Sequence, residues 1–214
     1  KIFTPPLPEQ HQIVEFLDRK TNQIDTLIEK KQRKIDLLKE YRISLINHVV
    51  TKGLNPKVKM KDSGVEWIGE IPKDWSIQPI KYLGRNEPNS IVDGPFGSSI
   101  NVEVDYGDFE IPVIRTVNIT DRGFRNEDLR FMRKDKYESL KRHNVVFGDV
   151  LLSKVGTIGN VCIYNRNDID GILSTTGSCR IRVDENKIFP HFMVYLLLKS
   201  KDHLNFLSGL NVQP

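Results

Sequence analysis

The hydrophobic residues between Pro8 and Thr51 recur with a seven-residue period and are separated by charged residues throughout. No proline or glycine interrupts this stretch before Gly53, and glycine commonly ends a helix. Pro8 suits the first helical position, where its missing N–H would have no intrahelical partner anyway. The pattern predicts one long amphipathic helix of roughly 65 Å, at about 1.5 Å per residue.

A narrow apolar stripe runs along this predicted helix, and we call it the helix seam. Its members are Leu17, Ile24, Ile28, Ile35, Leu38, Leu45 and Val49. Lys31 and Arg42 fall in the same heptad series and interrupt it. Such a narrow stripe is typical of a coiled coil, so we expect a partner helix from elsewhere in the protein or from a second copy. The alternative is an ordinary amphipathic helix on its own domain, but a domain of this size could not cover the whole length.

Short apolar runs punctuated by glycine replace the heptad pattern after Gly53. We predict a spacer helix within residues 1–53, a polar linker at 54–64 that contains Pro56, and a domain at 65–214. The fold class is predicted to be α+β, with many short strands and with helices at the domain's margin. The predicted elements of the domain are a strand and helical turn over 76–83, strands over 111–119, 160–164 and 179–183, a helix over 135–140, a hairpin over 145–152, a helix over 190–199 and a helical turn over 204–207.

The composition sets only broad limits on function. The 214 residues carry a formal net charge of +4, and the pI is about 9.0, which suits a polyanionic partner without requiring one. Two cysteines, Cys162 and Cys179, are too few for a disulfide framework, so we expect buried free thiols in a cytosolic protein. The sequence has no signal peptide and no apolar run long enough to span a bilayer, so no membrane association is expected.

Motifs for catalysis are missing from the sequence. The five histidines have no metal-ligand spacing with cysteines or acids, and no Gly-x-Ser-x-Gly elbow occurs. The loop from Gly156 to Gly159 lacks the third glycine and the following helix of a dinucleotide site. We therefore expect no catalytic residue, no metal and no cofactor, and a binding module is favoured over an enzyme.

Polar and basic residues concentrate in glycine-containing loops at the ends of predicted strands. The candidate DNA-binding residues are Ser98, Ser99, Asn101, Arg115, Thr116, Asn118, Lys154 and Thr157. Such side chains can reach base edges in the major groove, while lysines and backbone N–H groups hold phosphates. The alternative is that the glycines merely close hairpins and that Ser, Thr and Asn cap turns.

Several segments resemble, in order, landmarks of the DNA-specificity subunit of type I restriction-modification enzymes. They are Pro5-Pro6-Leu7-Pro8-Glu9-Gln10 before the heptad helix, the run from Glu66 to Trp75, the loop from Asp93 to Ser99, the run from Ile111 to Arg115, and the run from Gly148 to Lys154 with Gly156 to Gly159. The resemblance covers nearly the whole chain.

The resemblance implies a non-catalytic prokaryotic, cytoplasmic protein. In that family two target recognition domains, separated by two antiparallel helices, each recognise one half of a split DNA sequence. Methyltransferase subunits dock on the helical regions, and restriction (motor-nuclease) subunits join that core. This sequence begins at Lys1 and has one helix and one domain, so we expect a fragment or a half-length form that could self-associate through the helix seam. A coiled-coil protein-interaction scaffold without DNA binding is the alternative.

Overall fold

A computed structural model of the chain describes residues 2–199. The predicted helical turn over 204–207 lies outside the described residues. The chain divides into two compact units, one that ends at Asn47 and one that begins at His48. The structure confirms an α+β protein in which a long helix precedes a domain of short strands.

The long helix, α1, spans Leu7–Lys52 and confirms the heptad-based prediction. Gly53 follows it with a φ of 73°, a left-handed conformation that favours glycine, and its N–H donates to the carbonyl oxygen of Val49 at 3.0 Å. The first six residues of the helix seam remain 46% to 59% exposed within this chain, whereas Val49 is half-buried. A stripe of exposed aliphatic side chains therefore runs along most of α1.

The predicted linker contains a strand. Strand β1 (Met60–Asp62) pairs antiparallel with β2 (Glu70–Pro72), with Met60 opposite Pro72. The prediction of a linker missed β1 because this strand is mostly exposed and has no alternation of apolar and polar residues. The pairing is therefore specified by the partner strand β2 and by the turn between the two strands, and not by the residues of β1 themselves.

The body of the domain consists of two four-stranded sheets. Their strands are β3 (Ile91–Asp93), β4 (Tyr106–Ile114), β7 (Arg130–Met132), β8 (Asn144–Val145), β9 (Val150–Ser153), β10 (Val161–Ile163), β11 (Gly171–Leu173) and β12 (Ser178–Ile181), and a small hairpin is formed by β5 (Ile119–Thr120) and β6 (Gly123–Phe124). The first sheet has the order β10-β9-β12-β3 and is antiparallel throughout. The second has the order β7-β4-β11-β8, with β11 parallel to β4.

Helices lie at the margin of this body. They are α2 (Val102–Asp105), α3 (Lys134–Ser139) and α4 (Pro190–Lys199), with 3₁₀ turns at Ile80–Tyr82, Gly97–Ser99, Thr116–Asn118 and Lys141–His143. The predictions of helices over 135–140 and 190–199 and of strands over 160–164 and 179–183 are confirmed within one to two residues at each end.

Three other predictions need correction. Only a 3₁₀ turn forms within 76–83, and the strand predicted over 111–119 ends at Ile114. The hairpin predicted over 145–152 does not exist, because β8 pairs with β11 whereas β9 pairs with β10 and β12. The glycine turn between β8 and β9 connects the second sheet to the first.

Successive side chains of each strand point to opposite faces of the sheet, so the core forms in layers. On β9, Leu151 joins a cluster with residues of both sheets, whereas Val150 packs with Met193 and Leu197 of α4. On the second sheet, Ile172 packs with Tyr137 of α3. Each sheet therefore packs against the other on one face and against a helix on its other face.

Both cysteines are buried in this core and carry free thiols, as the sequence indicated. Burial raises the pKa of Cys162 to about 12, and burial together with nearby Asp93 raises that of Cys179 to about 12. Neither thiol is ionised at neutral pH, so both behave as small apolar core residues.

A buried cluster of charged side chains stabilises the β12 region. Asp149 accepts hydrogen bonds at 2.9 Å from both Nε and Nη2 of Arg182, and Nη1 of Arg180 lies 3.9 Å from the same carboxylate. Arg180 also donates to the backbone oxygen of Asn89. Because Asp149 and Arg180 are almost fully buried, the charge of Arg180 depends on Asp149 for compensation, and Asp149 is compensated by both arginines.

Candidate nucleic-acid interface

Four strands end at the same edge of the two sheets. β11 runs parallel to β4, and β12 runs antiparallel to both β3 and β9, so the loops after β3, β4, β9 and β11 emerge on one side. The 3₁₀ turn before β8 joins them, because Asn144 pairs with Ile172 near the end of β11. We call this set the loop edge; it comprises residues 94–99, 115–118, 141–143, 154–160 and 174–177.

Close backbone contacts hold these loops together. The N–H groups of Lys154 and Val155 donate to the carbonyl oxygen of Gly177 at 2.8 and 3.2 Å. A Cβ on Gly177 would lie 3.4 Å from the Cβ of Val155 and 3.5 Å from the Cγ2 of Thr116. Gly177 therefore contacts both Val155 and Thr116, so that three loops from two sheets lie side by side.

A second close approach links the loop after β3 to the same turn. A Cβ on Gly94 would lie 2.1 Å from the carbonyl oxygen of Thr175, which leaves room only for glycine. The N–H of Gly94 donates to the carbonyl oxygen of Ser178 at 3.0 Å. The loop edge is thus built on hydrogen-bonded turns, and the close approach of two of them requires glycine at position 94.

Asp93 lies between two basic residues of the loop edge. Its Oδ2 lies 2.6 Å from Nζ of Lys154, and its backbone oxygen accepts a hydrogen bond from Nδ1 of His143 at 2.6 Å. Burial and the positive charges of Arg142 and Arg180 lower the pKa of His143, although the bond to Asp93 opposes that shift. His143 is therefore neutral at pH 7 and holds its proton on Nδ1.

Six of the eight predicted DNA-binding residues lie in exposed or half-buried positions of the loop edge. They are Ser98, Ser99, Arg115, Thr116, Lys154 and Thr157, of which Ser98 and Thr157 are exposed. The Ser and Thr hydroxyls of this set can both accept and donate hydrogen bonds, whereas the ammonium group of Lys154 only donates them. Their grouping is a geometric finding, and their contact with DNA stays a prediction.

Asn118 has a different role from the one predicted. It is fully buried, its Oδ1 accepts from the N–H of Arg115 at 3.0 Å, and its Nδ2 donates to the oxygens of Arg125 and Glu127 at 3.1 Å. Asn118 therefore satisfies buried backbone groups, and we correct its assignment from DNA contact to turn stabilisation.

Asn101 lies just beyond the loop edge. Its side-chain oxygen accepts from the N–H of Glu103 at 3.1 Å and caps α2, while the side chain remains exposed. The capping bond occupies only the side-chain oxygen of Asn101. Asn101 therefore caps α2, and its contact with DNA stays a prediction.

Arg115 is half-buried and points toward the 125–131 segment. Its Nη2 donates to the backbone oxygen of Asp128, whereas its buried Nε has no hydrogen-bond partner. The guanidinium lines a depression of about 830 Å³ together with Tyr106, Arg130 and Phe131. This side chain must turn to reach a ligand at the tips of the other loops.

The sequence reasoning missed the basic turn Lys141–His143. Three consecutive basic residues were the available signal, but only the fold shows that the turn abuts Asp93. Lys141 pairs with Glu138 at 2.9 Å, whereas Arg142 is exposed and has no ion pair with another described residue. Arg142 therefore adds a positive charge at the loop edge.

Two other kinds of site are absent from residues 2–199. No group of three or more His, Cys, Asp or Glu in this range could hold a metal ion. No helix within the same range has both the length and the apolar character needed to cross a membrane.

Comparison with known proteins shows which proteins this chain resembles. No family model matches the chain. Two relatives from Methanocaldococcus jannaschii are the putative type I restriction enzyme MjaX specificity subunit, 26% identical over 146 residues, and the type I restriction enzyme MjaVIII specificity subunit, 27% identical over 206 residues. These matches cover 66% and 92% of this chain, and 32% and 44% of the relatives. The chain thus spans less than half the length of the curated relatives it matches.

Solved structures give the same fold. The HsdS subunit from Thermoanaerobacter tengcongensis matches with a TM-score of 0.51, and a structure on complex assembly of the type I R-M system matches with 0.54. Each is 16% identical and covers 94% of this chain and 43% of the other chain. A long helix followed by a β domain is therefore a fold that this chain shares with these solved structures. In sequence, the chain is similar to type I restriction enzyme specificity subunits.

Proposed function

We propose that this chain recognises base sequence in duplex DNA as part of the specificity subunit of a type I restriction-modification complex. The observation that carries the proposal is the loop edge, where five loops bring hydroxyl, lysine and arginine side chains to one exposed surface. In this function the chain performs no chemistry itself, and methyltransferase and restriction subunits act on the DNA that it selects.

The chemistry of the loop edge suits a DNA groove. Ser98 and Thr157 present exposed hydroxyls that can donate to or accept from base edges. Arg142 provides positive charge for phosphates, whereas Asp93 offsets the charge of Lys154 and competes with phosphates for it. The chain as a whole carries +4. Backbone hydrogen bonds position all these groups before DNA arrives, which lowers the entropy cost of binding.

The helix has a separate role in this proposal. Residues 1–53 form a spacer and residues 65–214 a recognition domain, so the length of α1 sets the gap between two recognised half-sites. The exposed helix seam needs an apolar partner, and we propose a second helix that packs antiparallel to it, from another copy or from further chain. Methyltransferase subunits, and through them restriction subunits, are the proposed partners of the helical region.

A salt series of binding measurements tests the proposal. The purified chain is titrated into random-sequence duplex at several salt concentrations, and we expect affinity to fall linearly on a log–log plot as salt rises.

Arg115→Ala should cost about 1–3 kcal/mol of specific binding and relax one base position. Arg166→Ala is the matched control, because Arg166 follows β10 at the opposite edge of the sheets. A folded chain that binds no duplex at low salt would instead favour a protein-interaction scaffold.

A further inference from the structure

Three large apolar side chains are exposed on the loop edge. Phe96 is 75% exposed, Val117 53% and Val155 62%, and each lies in a loop that follows a different strand. Burial of such groups is favourable, so a surface that leaves three of them exposed on turns held by backbone hydrogen bonds indicates a ligand.

The three loops are held as neighbours. Val155 and Thr116, the residue before Val117, both approach the Cβ position of Gly177 within 3.5 Å. The loop of Phe96 is tied in through the Lys154–Asp93 ion pair and the contact of Gly94 with Thr175. The three loops are therefore neighbours, and each apolar residue has a polar or basic residue close to it in its own loop: Ser98 after Phe96, Thr116 before Val117, and Lys154 before Val155.

This interleaving identifies the ligand's chemistry. The ligand must offer small apolar groups at separate points, surrounded by hydrogen-bonding groups and negative charge. The major groove of DNA has this arrangement, because each thymine displays a C5-methyl group beside its O4 acceptor and the groove is bordered by phosphates. Protein–protein interfaces are depleted of lysine and serine, whereas Lys154 and Ser98 lie in the same loops as Val155 and Phe96.

We propose that Phe96, Val117 and Val155 contact thymine C5-methyl groups and thereby specify A·T pairs in the recognised half-site. This inference rests on the proposed function, and it adds the kind of base that these residues select. The hydroxyl and basic residues would then account for the remaining base edges and for phosphates.

Removal of the methyl groups tests the contact directly. A preferred duplex is first obtained by selection from a random pool with the purified chain. Each thymine is then replaced singly by deoxyuridine, which lacks only the C5-methyl, and the ratio of the two dissociation constants is measured. Loss of one buried methyl group corresponds to about a fourfold weakening, so we expect about fourfold at one to three thymines and no change at the others.

Variants assign each methyl group to a side chain. In Phe96→Ala, Val117→Ala or Val155→Ala, the deoxyuridine-to-thymidine ratio should fall to about one at the thymine contacted by that residue and persist at the others. Phe147→Ala is the control, since Phe147 is also 62% exposed but lies in the turn before β9, at the opposite edge. All variants are compared after their thermal unfolding has confirmed a native fold.

The outcomes separate this inference from the proposed function. Sequence-selective binding with ratios near one at every thymine overturns the thymine contacts and leaves DNA recognition standing. Variants that lose a methyltransferase subunit but keep the wild-type ratios also overturn it and assign the three residues to a protein contact. Absence of any sequence-selective binding overturns the proposed function itself.

Discussion

The Nζ of Lys154 lies 2.6 Å from Oδ2 of Asp93, and this ion pair joins the loop after β9 to the end of β3. Both side chains are partly exposed, so solvent screens the pair and its contribution to folding is small. Its main consequence is electrostatic, because Asp93 neutralises a lysine at the centre of the proposed DNA-binding surface.

Asp93→Asn should strengthen non-specific DNA binding. The substitution leaves Lys154 without its counter-charge, so the lysine becomes free to hold a phosphate. We expect the log–log salt slope to steepen by about one unit. Asp168→Asn, which removes a comparable partner from Arg166 at the opposite edge, is the control. An unchanged slope in Asp93→Asn would mean that Lys154 does not meet DNA.

Asp149→Asn should destabilise the domain strongly. It removes the carboxylate between Arg180 and Arg182 and leaves two largely buried guanidinium groups without that charge. We expect a loss of about 3–5 kcal/mol in the free energy of unfolding, measured by urea denaturation. Asp168→Asn serves again as the exposed control, and a loss below that of the control would show that the buried cluster is not needed for stability.

Asp105 should make stability depend on acidic pH. Burial by itself raises its pKa, but the N–H of Asn101 at 2.8 Å and the cations of Lys136 and Arg133, each at 3.3 Å, outweigh burial and leave the pKa below its usual value. A carboxyl group whose pKa is lower in the folded state stabilises the fold at pH values above its unfolded pKa of about 3.9. This stabilisation is lost as the pH falls through the folded-state pKa.

The comparison of wild type with Asp105→Asn measures this linkage. The variant should be less stable than wild type at pH 7, and the difference should shrink as pH falls below about 4, where the unfolded carboxyl is protonated. Urea denaturation over a pH series gives both curves. A difference that stays constant down to pH 2 would show that the charge of Asp105 is not the source of its contribution.

The exposed helix seam should drive self-association. Sedimentation of the wild-type chain should show a dimer that dissociates on dilution, and Leu38→Glu should shift it to monomer by placing a charge in the seam. Leu37→Glu is a close control, since Leu37 is 55% exposed, similar to Leu38 at 56%, but lies outside the seam. A wild-type monomer at high concentration would rule out pairing between copies of this chain.

The sequence predicted the helices well because their signals are local. The heptad repeat and Gly53 located α1, and Pro190 located the start of α4. The strand pairing was harder, since Gly148 and Asp149 have the residues of a hairpin turn although Val145 pairs with Gly171 in the other sheet. Long-range partners decide such pairings, and a glycine turn cannot specify them.

The candidate site was predicted only in part, because local signals locate a loop whereas long-range contacts decide which way its side chains face. Loop position follows from turn residues, so the loop positions of Ser98, Lys154 and Thr157 were predicted, and their contact with DNA stays a prediction. The direction of a side chain is set by which backbone groups need a partner, and this turned Asn118 inward. The apolar tips at Phe96 and Val155 were not singled out, because an exposed phenylalanine or valine cannot be told from a core residue by its sequence alone.

Selection from a random duplex pool tests the central claim most directly. The purified wild-type chain, the triple variant Ser98→Ala/Lys154→Ala/Thr157→Ala and the control Arg166→Ala are each used to enrich bound duplexes, which are then sequenced. The account predicts that wild type and control enrich the same short base sequence and that the triple variant loses or changes it. An unenriched pool with the folded wild-type chain, or the same sequence enriched by the triple variant, would contradict recognition by the loop edge.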